Sequence, residues 1–168
     1  MKKKNFSIII QARVGSKRFP NKILKKYKNK SLLEIMLLRL LRVFDKSQIY
    51  IATTKKKEDT VIVNLCKKYQ VKTYRGSEHN VLKRFIDTAS KYKIKNIVRL
   101  TSDCPLIDSS VILRMLKIYF KRKLDYISNC YPYNKRSFPV GSDVEIIKFN
   151  VLNYLLKSCP NKYEKEHV

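Results

Sequence analysis

Hydrophobic residues recur along the chain in two alternating patterns. The block "FSIII" (6–10) is short, apolar and rich in β-formers, and with Gln11 and Ala12 it predicts a first strand over residues 6–12. Leu33, Met36, Leu37, Leu40 and Leu41 then follow helical spacing. Ser31 with Glu34 three residues later matches a capping box, so this helix is expected to run to about residue 44. "QIYIATT" (48–54) predicts the second strand, and Glu58 and Asp59 open the next helix, favourably placed at the positive end of its dipole. A short strand is expected over 71–74. Asn80 can cap a helix whose inner face carries Val81, Leu82, Phe85 and Ala89. "NIVRL" (96–100) predicts the fourth strand, and Asp108 is placed to cap a helix over 109–121. Further strands are expected over 124–128 and 142–147, with a last helix over 150–158.

This order predicts an α/β fold, a mostly parallel mixed sheet with helices on both faces, in one domain. Ligands of such sheets bind outside the carboxyl ends of the strands, near a switch in strand order. Three segments of unusual chemistry fall at such ends: 12–22, 75–84 and 101–108.

Composition narrows the reading. With 168 residues and 44% hydrophobic content, the chain can bury one core. No apolar run reaches the ~18 residues of a membrane span, so membrane insertion is not expected. The apolar stretch near the start is cut off by Gln11 and Arg13 without a small-residue cleavage site, which reads as a buried strand rather than a leader and implies a cytoplasmic protein. Cys66, Cys104, Cys130 and Cys159 form no CxxC pair and suggest neither a zinc site nor a disulfide scaffold. The net charge of +25 favours anionic partners. Most of the basic residues are lysines scattered along the whole chain, whereas a dedicated nucleic-acid surface clusters arginine with aromatics, so nucleic acid is the less favoured partner.

The loop after the first strand concentrates the chemistry. Gly15 and Ser16 let backbone N–H groups approach an anion, Arg13, Lys17, Arg18 and Lys22 add charge, and Pro20 stiffens the exit. That combination suits a triphosphate, the alternative being a solvated basic loop. Neither the P-loop pattern nor GxGxxG is present.

"IIQARVGSKRFPNKIL" (9–24) resembles the N-terminal signature of the cytidylyltransferases that make CMP-activated sugars, the acylneuraminate and 3-deoxy-manno-octulosonate type. It is most similar to their spore-coat polysaccharide F-like branch. "RGSEHNVLKRF" (75–85), "VRLTSDCPLID" (98–108), "FPVGSDVEI" (138–146) and "YEKEHV" (163–168) support the resemblance in order along the chain. It implies a nucleotidyltransferase fold in which a sugar oxygen attacks the α-phosphate of CTP and pyrophosphate leaves with Mg²⁺ assistance.

Carried onto this sequence, the resemblance gives Arg13 and Lys22 the catalytic positions. Ala12, Arg13, Gly15, Ser16, Lys17, Lys22, Ser77, Asn80 and Arg84 take the nucleotide-binding ones. Asp103 is the implied metal ligand, with Asp143 as a second, and Asp143, Glu145, Glu166 and His167 lie on the implied acidic-sugar side. Asp103 has an Asx turn before Pro105 as its alternative. Asp143 and Glu145, alternating around Val144 and so sharing a strand face, have plain ion pairing as theirs. His79 and Lys83 stand where relatives carry acidic residues, and His79 reads as an exposed loop residue.

In relatives, "YEKEHV" is followed by a portion that helps form the sugar pocket and often a dimer contact. The expectation is therefore one nucleotidyltransferase domain without that portion, with acceptor binding and turnover impaired; a homodimer is one assembly the resemblance allows, the sequence leaving the oligomeric state open. The alternatives are another nucleotide, a sugar-phosphate acceptor, an inactive nucleotide-binding fragment, or a basic nucleic-acid-binding protein.

Overall fold

A computed structural model describes residues 5–16, 19–130, 132, 134 and 136–158. Its strands are β1 (Ser7–Gln11), β2 (Lys26–Tyr27), β3 (Lys30–Ser31), β4 (Ile49–Thr54), β5 (Lys72–Gly76), β6 (Asn96–Thr101), β7 (Tyr126–Ser128) and β8 (Glu145–Lys148). Its helices are α1 (Leu32–Leu41), α2 (Thr60–Lys68), α3 (Val81–Lys91), α4 (Ser109–Lys121) and α5 (Phe149–Ser158).

Ile8, Ile9 and Ile10 are apolar at consecutive positions, so β1 needs cover on both faces. The structure supplies it. β1 sits inside a six-stranded sheet ordered β5-β4-β1-β6-β8-β7, parallel to both β4 and β6, with β4 parallel to β5. β8 runs antiparallel to β6 and β7 antiparallel to β8, making the sheet mixed at that side.

Alternation along the strands then sorts the core. Ile8, Ile10, Ile49, Ile51, Val98 and Leu100 face α1, α2 and α4. Ile9, Tyr50, Ala52 and Ile97 face α3 and α5 on the other side. The register pairs Ile10 with Ile51 and with Leu100, so one layer of large aliphatic side chains crosses three strands. Burying each such side chain contributes about 1.5–3 kcal/mol.

Local signals place the helix starts. Ser31 Oγ accepts from the Glu34 N–H at 3.1 Å, Asn80 Oδ1 from the Lys83 N–H at 2.7 Å, and Asp108 Oδ1 from the Ser110 N–H at 2.8 Å. The Glu34 carboxylate accepts from Lys68 Nζ at 3.0 Å and the Tyr69 hydroxyl at 2.5 Å, tying α1 to the end of α2. After Tyr69 and Lys68, the Ser31 backbone N–H adds to the bonds that hold this carboxyl below the usual glutamate range, which is the reciprocal half of the capping box.

Other elements depart from expectation for physical reasons. β2 and β3 form a hairpin around Lys28 (φ 46°) and Asn29 (φ 65°), and two such short strands carry no hydrophobic period to betray them. β8 begins at Glu145, so Asp143 precedes the strand and does not share a strand face with Glu145; that expectation is corrected.

Cys66, Cys104 and Cys130 are free and buried, and Cys159 lies outside the described residues. No helix among the described residues is long and apolar enough to cross a membrane.

Candidate active site

Strand order reverses at β1, which has β4 on one flank and β6 on the other. The loops leaving the carboxyl ends of these strands therefore diverge around a crevice, the place where open α/β sheets bind ligands. A groove of about 680 Å³ at the opposite end of the sheet, with Lys95, Tyr119, Lys123 and Lys148 in its walls, holds none of the residues singled out from the sequence.

The β1 loop leaves its strand under tight control. The Ala12 N–H still bonds the Ala52 carbonyl at 3.1 Å, and the Val14 N–H donates to Asp59 Oδ1 at 2.7 Å. A Cβ on Gly15 would stand 3.1 Å from Glu58 Oε1, so the loop passes close against the turn before α2. Lys17 and Arg18 lie outside the described residues. The loop regains the body through a short 3-10 turn, Lys22–Leu24, entered by Asn21 in the left-handed region (φ 58°) and anchored by buried Ile23.

Across the crevice, the loop leaving β6 carries Asp103. The Ser102 N–H extends the β1–β6 ladder by bonding the Gln11 carbonyl at 3.1 Å, and the Cys104 N–H closes a turn on the Thr101 carbonyl at 3.2 Å. Arg39 on α1 donates to the carbonyls of Leu106 (3.4 Å) and Ile107 (3.3 Å), holding the rest of the loop.

Lys22 Nζ lies 2.5 Å from Asp103 Oδ2, so the cation of one loop meets the carboxylate of the other. Burial pushes the Asp103 carboxyl upward, but the hydrogen bond and charge of Lys22, with help from Thr101, outweigh it and hold the group below the usual aspartate range. Burial pushes the neighbouring Cys104 thiol up, and the charges of Asp103 and Asp143 add to that push, so both carboxylates lie near this thiol.

Asp143 pairs with the Arg136 guanidinium. No group of three or more His, Cys, Asp or Glu arranged to hold a metal is present among the described residues. Two carboxylates at the edges of the crevice nonetheless fit Mg²⁺, a hard cation commonly held by one or two carboxylates with the remaining ligands from substrate oxygens and water.

The third wall is the loop after β5. Asn80 caps α3 and its N–H bonds Ser77 Oγ at 3.1 Å, so both residues shape the loop. Arg84 is 1% exposed and its Nη1 donates to the carbonyls of Ser77 (2.6 Å) and Glu78 (3.4 Å). Burial and then the positive charge of Arg13 bring the Arg84 guanidinium down to about 10, with Asp59 and Glu78 opposing. A Cβ on Gly76 would fall 2.9 Å from the Tyr74 ring and 3.2 Å from Arg84 Cγ, so glycine is what lets Arg84 pack beneath the loop.

Glu145 is placed by the sheet. It sits opposite Arg99 in the β6–β8 register, pairs with that guanidinium, and accepts from the Tyr126 hydroxyl at 2.7 Å. Glu166 and His167 lie outside the described residues.

The crevice thus brings together Ala12, Arg13, Gly15, Ser16, Lys22 and Asp103, with Arg84 beneath Ser77 and Asn80 at one side and Asp143 at the other. Sequence reasoning missed three residues that knit these loops. Asp59 reads as a helix-dipole acid yet faces the β1 loop. Arg75 donates to the carbonyls of Thr54 (2.9 Å) and Lys56 (2.6 Å). Glu78 pairs with Lys56 at 2.8 Å. Only position could have marked them: Arg75 and Glu78 lie within two residues of the end of β5, and Asp59 five residues beyond β4.

Comparison with known proteins follows the same lines. A model of the cytidylyltransferase family matches residues 7–168. The chain is 39% identical over 160 residues to an uncharacterized protein of Methanocaldococcus jannaschii, covering 95% of this chain and 63% of that protein. It is 32% identical over 166 residues to the spore coat polysaccharide biosynthesis protein SpsF of Bacillus subtilis, covering 95% and 66%. The chain therefore spans a little under two thirds of the length of these curated relatives. A solved cytidylyltransferase from Leptospira borgpetersenii serovar Hardjo-bovis superposes with a TM-score of 0.91 at 35% identity, covering 97% of this chain and 68% of that one.

Proposed function

The chain belongs to the cytidylyltransferase family, and we propose that it transfers CMP from CTP to an acidic sugar of the nonulosonic type, releasing pyrophosphate, in the cytoplasmic stage of surface-polysaccharide synthesis. The observation that carries this reading is the meeting of Lys22 and Asp103 across the switch point of the sheet. A triphosphate entering there finds a lysine for its oxygens and a carboxylate for the accompanying cation.

In this reaction a hydroxyl oxygen of the sugar attacks the α-phosphorus, and the hydroxyl proton is given up to solvent. The bond to the bridging oxygen breaks, and its electron pair leaves with pyrophosphate. Negative charge grows on the phosphoryl oxygens, and Arg13 and Lys22 stand at the loop that would neutralise it. Backbone N–H groups at Gly15 and Ser16 are available for the phosphates, since neither donates to an acceptor among the described residues. Ser77 and Asn80 border the nucleotide from the β5 side. Asp103, with Asp143 as second candidate, would hold Mg²⁺, which when bound supplies positive charge to the leaving pyrophosphate. The acidic sugar is favoured by the motif resemblance to enzymes that activate such sugars and by a surface of strongly positive charge.

The test is pyrophosphate release from CTP, UTP, ATP and GTP, each with a panel of nonulosonic and related sugars and sugar phosphates. Release confined to CTP with an acid sugar is the expected result. Release with UTP and a sugar phosphate would overturn both the nucleotide and the acceptor.

A further inference from the structure

We propose that Asp59 is a positioning residue, the fastener that fixes the β1 loop in its phosphate-receiving form before any ligand arrives. This deepens the nucleotide reading above and rests on it.

Asp59 stands at the start of α2, where an acidic side chain ordinarily caps its own helix. It does not do so here: no side-chain capping bond forms, and the residue is 0% exposed. Its carboxylate is turned to other segments. Oδ1 accepts the Val14 N–H at 2.7 Å, while Oδ2 accepts the Thr54 N–H at 3.2 Å and the Thr54 hydroxyl. The Thr54 oxygen in turn accepts the Lys56 N–H at 3.1 Å. A continuous relay therefore runs from the turn after β4 to the middle of the β1 loop.

The chemistry of the group matters as much as its place. All three partners are donors, and an ionised carboxylate is the one side chain of this size that only accepts. An asparagine would offer an amide to at least one N–H or O–H. A buried carboxylate is costly unless its hydrogen bonds are made, so releasing Val14 would leave Asp59 short of a donor. The next residue, Gly15, is held close to Glu58 by the same segment. With Val14 committed, the first backbone donors left for an anion are those of Gly15 and Ser16.

Three measurements on the chain test this. In the free wild-type protein the Val14 amide should be protected from hydrogen exchange, while the Gly15 and Ser16 amides gain protection only with CTP or tripolyphosphate. Asp59→Asn should weaken both CTP and tripolyphosphate by about tenfold, the scale of one charge-assisted hydrogen bond. Thr54→Val, which spares the Val14 bond, should lower the melting temperature comparably yet leave both affinities within about twofold of wild type.

A Val14 amide that exchanges as fast as Gly15 in the free protein would overturn the proposal even if Asp59→Asn failed to fold. So would equal affinity losses in Asp59→Asn and Thr54→Val, which would reduce Asp59 to a stabilising residue. Wild-type protein that binds tripolyphosphate and UTP as well as CTP, with the Asp59 effect intact, would sink the CTP reading and keep the fastener. Wild-type protein that binds no triphosphate would sink both.

Discussion

The two sides of the crevice are built on opposite principles. On the β4–β5 side two buried charges are bonded to backbone: Asp59 holds Val14 and Thr54, and Arg84 holds the carbonyls of Ser77 and Glu78. Around the Asp103 loop two charge pairs lie nearer the surface. Lys22 and Asp103 are 29% and 40% exposed, and Arg136 and Asp143 close a second such pair. A buried charge with backbone partners cannot let go without stranding polar groups, so that side is set before ligand binds. A half-exposed ion pair is worth little, and either member can exchange its partner for a phosphate oxygen or a cation at small cost. The β4–β5 side is preformed and the Lys22–Asp103 side is exchangeable.

The sharpest way to break this contrast is Asp103→Ala. It should cut Mg²⁺-dependent pyrophosphate release by about a thousandfold, comparable to losing a preorganised charge at a reacting centre, with the melting temperature nearly unchanged. Undiminished release would remove Asp103 from the chemistry.

Arg84→Met probes the other side. Two loop carbonyls lose their donor, so stability should fall by about 2 kcal/mol and the melting temperature by about 4–8 °C. A variant that melts like wild type would show that Arg84 does not hold the β5 loop in place.

Lys22→Ala should weaken CTP by about tenfold and CMP by less if its role is the proposed contact with the outer phosphates. Equal losses in calorimetry would argue against that contact.

The smallest effect concerns Glu78. The hydrogen bond from Lys56 is the main cause that holds its carboxyl below the usual range, against a lesser opposing push from burial. With the folded value depressed, its contribution to stability is complete above the ordinary glutamate value of about 4.3 and is lost as pH falls through the lower folded value. Lys56→Ala should return the Glu78 titration toward the ordinary value, as carboxyl NMR would record. No movement would mean that the Lys56–Glu78 pair does not latch the two loops in solution.

Much of the fold was legible because its signals are local. The caps at Ser31, Asn80 and Asp108 lie within three residues of the N–H groups they satisfy. The periods of 2 and 3.6 separate strands from helices over windows of ten residues. The hairpin at 26–31 was not legible, since strands of two residues have no period. At the site, Lys22 and Asp103 stood out as unusual residues at strand ends, but nothing in the chain shows that positions 81 apart touch. Asp59 stands at the helix start as expected, but its bond to Val14, 45 residues away, was hidden for a related reason: an acid at a helix start already has a sufficient local explanation. Glu145 had two readings in sequence, and the β6–β8 register places it against Arg99.

By itself the sequence determined the order of elements, the two-sided burial of β1, and the concentration of cations and a lone glycine after it, because short-range periodicity and side-chain chemistry are properties of neighbours. Tertiary structure alone decided the reversal of strand order at β1, the crevice this opens, and which charges are buried against backbone and which are left to exchange. Those outcomes depend on contacts between distant segments, and pairing at such separations is written in no single stretch of the chain.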